Sequence, residues 1–123
     1  MSATDEPAFD WDQAASLLGD NPNSVEEEMA VIVRELVDGA DGQFAELKSK
    51  NAETQRKEIG SLAHGLRGCL LNFGFTAVGT ILLEIEKGTY EPNEYPAKIE
   101  SARLTFIASK KLLAARYPAL GLS

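Results

Sequence analysis

Apolar positions in this chain recur at three- and four-residue steps nearly everywhere, the period of an amphipathic helix. No run shows the alternation, β-branched richness and hairpin turns of a strand. Residues 1–9 read as a loose, polar tail. Asp10, three residues before Gln13, gives a cap-like start to a short helix through Leu17 and Leu18, and the stretch from Gly19 to Asn23, with Pro22 inside it, breaks that helix. Ser24-Val-Glu-Glu27 has the form of a capping box, with Glu26, Glu27 and Glu28 at the positive end of a helix dipole. From there Val25, Met29, Ile32, Leu36, Ala40, Phe44 and Leu47 predict one long helix from about residue 24 to about 50. Gly39 and Gly42 each weaken it by about 1 kcal/mol relative to Ala.

Asn51 reads as a hinge, followed by a helix over about residues 53–72; Gly74 starts another, which ends near Gly88. Thr89 to Pro96 is loop and helix entry, since proline suits only a first turn. Tyr95, Ile99, Ala102, Phe106, Ser109 and Leu113 then mark a final amphipathic helix that stops before Pro118. Four substantial helices and a short leading one, joined by short connections, predict an all-α fold, an up-down four-helix bundle with a short additional N-terminal helix. The expected division is a flexible tail over 1–9, the helical bundle over 10–118 and a C-terminal tail over 119–123. No repeat, low-complexity tract or interdomain linker interrupts it.

Composition narrows the function more than the fold. At 123 residues, 44% apolar and 25% charged, the chain is the size of one domain with a core of its own. A net charge of -7 argues against nucleic acid, whose binders carry a basic face. One cysteine, Cys69, permits no internal disulfide, and with one histidine it cannot build a Cys/His zinc site. The start of the chain lacks the basic and apolar regions of a signal peptide, and no apolar run approaches a membrane span. A cytoplasmic monomer without its own metal, membrane or nucleic-acid partner is the expectation.

The third helix carries the candidate chemistry. On a wheel, Ile59, Leu62, Ala63, Leu66, Cys69, Leu70 and Phe73 fall in one arc roughly 120° wide, the predicted core face, and His64 lies roughly 160° from its centre. Lys57, Gly60, Ser61, Gly68 and Leu71 share the outer face with it, and Arg67 lies on the flank. Gly60, Gly65 and Gly68 each cost helix stability, which suggests a surface kept bare so that something large can approach the imidazole. The same glycines would also suit a kink or a close helix contact. Cys69 reads as a core filler, and about 140° of wheel separates it from His64, a poor geometry for a Cys–His pair. Gly65-Leu-Arg-Gly68 lies mid-helix with no strand before it and is no phosphate-cradling loop.

The stretch Leu62-Ala-His-Gly-Leu-Arg-Gly-Cys-Leu-Leu-Asn-Phe-Gly74 resembles the signature of the histidine-containing phosphotransfer (HPt) domain family, roughly A-H-x-L-K-G-x-x-x-x-x-G. Ala63, His64, Leu66, Gly68 and Gly74 match in type and spacing. Arg67 replaces the usual Lys, Cys69 a common Ser, and Phe75 a usually small residue; the departures at Arg67 and Phe75 bear on efficiency and partner choice. Phe-Asp-Trp-Asp at 9–12, the long second helix and the Ile85-Glu86 ending of the fourth extend the likeness over about residues 9–117.

The resemblance implies a four-helix bundle in which His64 accepts a phosphoryl group from the aspartate of a response-regulator receiver domain and passes it to another receiver. An exposed imidazole, with a reference pKa of about 6.5, is largely neutral at cytoplasmic pH and so nucleophilic. Phosphoryl transfer needs positioning and charge stabilisation more than covalent help. Arg67, at i+3, is the expected stabiliser of the phosphoryl oxygens, and Lys57, two turns earlier, is a weaker electrostatic candidate. Magnesium and an acidic pocket are expected in the receiver partner; this chain needs no cofactor of its own. With no Walker motif or kinase glycine loop, it reads as a phosphocarrier and not an enzyme with an ATP site. A hybrid sensor kinase is a further expected partner. Docking is expected at Gly60, Ser61, Gly65, Gly68, Leu71 and Phe75, although Leu71 and Phe75 would equally suit burial against the first helix. The alternative is a helical adaptor that binds receivers or other partners without carrying phosphate.

Overall fold

The computed structural model describes residues 9–122, and among them every regular element is helical. The α-helices are α1 (Trp11–Leu18), α2 (Glu27–Ser49), α3 (Arg56–Asn72), α4 (Thr76–Lys87) and α5 (Tyr95–Arg116). Single 3₁₀ turns at Pro92–Glu94 and Pro118–Leu120 precede and follow α5. None of the described helices is long and apolar enough to cross a membrane.

Local chemistry explains most boundaries. Asp10 caps α1 by accepting a hydrogen bond from the Gln13 N–H at 3.1 Å. The capping box expected at Ser24 does not form: α2 starts at Glu27, and the Ser24 N–H turns back to Asn21 O. Asn51 Oδ1 accepts from the N–H groups of Glu53 and Thr54, a side-chain turn that delays α3 to Arg56. Gly88, left-handed at φ 72°, ends α4, and Pro96 sits in the first turn of α5.

Side-chain contacts cross between the helices. Lys50 reaches Glu58 between the end of α2 and the start of α3, and Lys98 of α5 pairs with Glu84 of α4. The Tyr95 hydroxyl at the start of α5 donates to Leu47 O near the end of α2, while Arg34 near the start of α2 donates to Leu120 O beyond α5. The last two contacts run α2 and α5 antiparallel. A row of rings, Phe9 to Phe75 at 4.5 Å, Phe75 to Phe106 at 5.5 Å and Phe106 to Phe44 at 5.6 Å, runs through the middle. Burying each such side chain contributes about 1.5–3 kcal/mol.

Three expectations change here. The N-terminal tail falls outside the described residues except for Phe9, which is buried in that ring row. Of the expected C-terminal tail over 119–123, Leu120 is packed onto the bundle, buried and with its carbonyl held by Arg34. In α2 the buried face is Ala30, Val33, Val37, Ala40, Phe44 and Leu47, whereas Ile32 is 47% exposed. The apolar run there is wider than the core, so its larger members drew the expected face round by a residue.

Candidate functional site

The site is assembled where α3 and α4 lie closest. Their turn depends on Gly74, whose φ of 91° is left-handed; a β-carbon there would stand 2.6 Å from Asp10 O. Asp10 in turn donates its N–H to Gly74 O at 2.8 Å, so the segment before α1 straps the hairpin. At the far end, Arg56 donates from its two Nη atoms to Gly88 O at 3.1 Å and Tyr90 O at 3.0 Å, with its guanidinium 4.5 Å from the Tyr90 ring centre. One turn on, Gly60 faces the α4 backbone, and a β-carbon there would lie 3.3 Å from Glu86 O.

That approach delivers the Glu86 side chain to α3. Its Oε2 lies 2.9 Å from His64 Nδ1, and its Oε1 accepts from Arg67 Nε at 3.0 Å. The imidazole is 67% exposed, while the Glu86 and Arg67 side chains are only 25% and 23% exposed. Partial burial opposes the charge on Glu86, but the hydrogen bonds from His64 and Arg67 and the positive charge of the guanidinium outweigh it and hold the carboxyl below its ordinary pKa. An ionised carboxylate only accepts, so Nδ1–H is assigned as the donor to Glu86, and in the neutral ring that tautomer leaves the lone pair on Nε2. Among the described residues Nε2 has no hydrogen-bond partner.

Comparisons of the chain with protein-family models, curated proteins and solved structures gave no match.

The structure brings together His64, Arg67 and Glu86, and beside them opens a groove lined by Arg56, Lys57, Gly60, Ser61, His64 and Glu86. Gly65 and Gly68 are exposed, with nothing within 4 Å of where a β-carbon would stand. Gly60 does not belong with them: it is half-buried, and its missing side chain makes room for α4. Phe75 is fully buried against Phe9 and Phe106 and offers no docking surface. Leu71 is half-buried and lies over Gly79, where a β-carbon would come within 2.6 Å of Leu71 Cδ2, so it serves the α3–α4 contact. Cys69, expected in the core, is exposed; Ile59, Ala63, Leu66 and Leu70 supply the buried face, with Leu62 and Phe73 half-buried. Among the described residues no three His, Cys, Asp or Glu side chains converge as metal ligands would.

Glu86 is the member that sequence reasoning missed as part of the site. His64 lies ten residues before Gly74 and Glu86 twelve after it, so an antiparallel hairpin folded at Gly74 sets them nearly level. That arithmetic was the available signal. Arg56, whose role depends on carbonyls beyond α4, left none.

Proposed function

We propose that this protein is a phosphocarrier of a phosphorelay, a member of the HPt type with His64 as the phosphoacceptor. The observation that carries the reading is the exposed imidazole whose Nδ1–H is held by an ionised Glu86 while Nε2 stays open. Contacts among α2, α3, α4 and α5 support the up-down four-helix bundle that belongs to it. The incoming group is the acyl phosphate of a receiver aspartate. The Nε2 lone pair attacks phosphorus, the bond from phosphorus to the acyl oxygen breaks, and the aspartate leaves as a carboxylate with that electron pair. The Nδ1 proton stays in place, and Glu86 stabilises the positive charge that develops on the ring. Transfer to a second receiver runs the same step backwards.

Arg67 acts through Glu86, keeping it ionised and so holding the imidazole in place. Exposed Gly65 and Gly68 leave clearance for the receiver's active site, which brings the magnesium and the acidic pocket. The fitting compartment is the cytoplasm, with receiver domains and a hybrid sensor kinase as partners.

Incubation with a phosphorylated receiver domain tests the reading. Acid-labile, alkali-stable phosphate should appear on the chain, with phosphorus on Nε2. The His64→Gln variant should fold normally and take no label. Undiminished label on it would overturn the proposal, and receiver binding without any label would favour the adaptor.

A further inference from the structure

The phosphocarrier reading leaves open which side chains of this chain hold the transferred group, and the groove beside His64 bears on that. Helix side chains lean toward the N-terminus, so the His64 ring lies over the turn that contains Gly60 and Ser61. The groove walls there include Lys57 and Ser61 but not Arg67. We infer that Lys57 and Ser61 form the cradle for the phosphoryl oxygens on His64, and that Arg67 serves Glu86 from the other side. This rests on the reading of His64 as phosphoacceptor.

Commitment of the neighbouring charges singles out Lys57. Arg56 is tied to Gly88 O and Tyr90 O, Arg67 Nε to Glu86, and Lys50 lies between Glu46 and Glu58. Lys57 and Ser61 are exposed, and neither has a hydrogen bond or ion pair among the described residues. They precede His64 by seven and three residues, hence on the same side of α3, with Cα atoms about 10 Å and about 4.5 Å away along the axis. A lysine side chain spans the longer gap, and a serine hydroxyl the shorter. Gly60, between them, puts no side chain in the way. Because Arg67 neutralises Glu86, Arg56 and Lys57 leave the groove cationic in a chain of net charge -7. A dianionic phosphoryl group is the matching ligand, held by a mobile ammonium with three donors and one hydroxyl donor.

Phosphoramidate, a small donor, separates this cradle from receiver docking. Nε2 forms the new bond to phosphorus, the phosphorus–nitrogen bond of the donor breaks, and ammonia leaves with its electron pair. Lys57→Met should slow labelling about tenfold and Ser61→Ala severalfold, and Lys57→Arg should restore most of the rate. In ³¹P spectra of the labelled protein, Lys57→Met should raise the pH at which the phosphoryl oxygens titrate. Arg67→Gln should leave that titration in place and instead shift the His64 Nδ1–H resonance. The cradle is overturned if Lys57→Met changes neither rate nor titration, or if Arg67→Gln alone moves the ³¹P titration. No label on the wild-type chain from phosphoramidate or a phosphorylated receiver overturns the phosphocarrier reading, and the cradle with it.

Discussion

Gly60 and Gly68 stand one turn before and one turn after His64, and they do opposite jobs. At Gly60 the absent side chain lets α4 come close: a β-carbon would meet Glu86 O at 3.3 Å. At Gly68 the space is empty and the position faces solvent. The first glycine is demanded by packing inside the molecule, since it brings the carboxylate to the imidazole. The second satisfies nothing inside and loosens its helix by about 1 kcal/mol relative to Ala. A residue type with one intrinsic cost is thus explained by internal fit in one turn and, under the proposed function, by a partner's approach in the next.

The largest test of this contrast is leucine at each position. Gly60→Leu should destabilise the fold by about 1–3 kcal/mol, as overpacking does, and separate Glu86 from His64. Gly68→Leu should raise the melting temperature, because leucine is a strong helix former and meets nothing. Equal effects in urea unfolding would erase the distinction.

Alanine sharpens it on a smaller scale. Gly68→Ala should stabilise by about 0.5–1 kcal/mol, whereas Gly60→Ala should lose stability, since its methyl would crowd the α4 backbone at 3.3 Å. Transfer from a receiver should fall in Gly68→Ala and fall further in Gly68→Gln, with both variants well folded. Undiminished transfer in Gly68→Gln would remove the clearance argument.

The smallest expected effect is electrostatic. Glu86 is held below its ordinary pKa by His64 and Arg67, so its contribution is fully present above the unfolded value of 4.5 and lost as pH falls through the folded value. Glu86→Gln should therefore flatten the acid limb of the stability profile below that value and leave its neutral shape intact. A parallel acid limb in variant and wild type would mean that the triad contributes nothing to folding.

Helix positions were legible because their ends carry local chemistry: Asp10 as a cap, Gly88 as a left-handed stop, Pro96 in a first turn and Pro118 after a last one. Rotation of each helix about its axis was less so. Ile32 and Cys69 fit an apolar face by type, yet the neighbouring helices cover a narrower arc that leaves both exposed. Phe75 looked like a rim residue because its burial depends on Phe9 and Phe106, far away in sequence. Of the candidate site, the exposed imidazole on α3 could be read from one helix alone. Its carboxylate partner could not, because that contact depends on how closely two helices approach.

Both hydrogen bonds of the site close within a single hairpin: His64 and Glu86 are 22 residues apart, and Arg67 and Glu86 are 19. Loop-closure entropy grows with loop length, so joining these groups costs about 1 kcal/mol less chain freedom than bringing Phe9 onto Phe75, 66 residues away. Contacts this local form early, before distant pairings reward the chain for its ordering. The α3–α4 hairpin should accordingly be an early folding unit, with amide protons that exchange more slowly than those of α1 under mild denaturant. The His64 imidazole and the Glu86 carboxylate would then find each other before the rest of the core has closed around them.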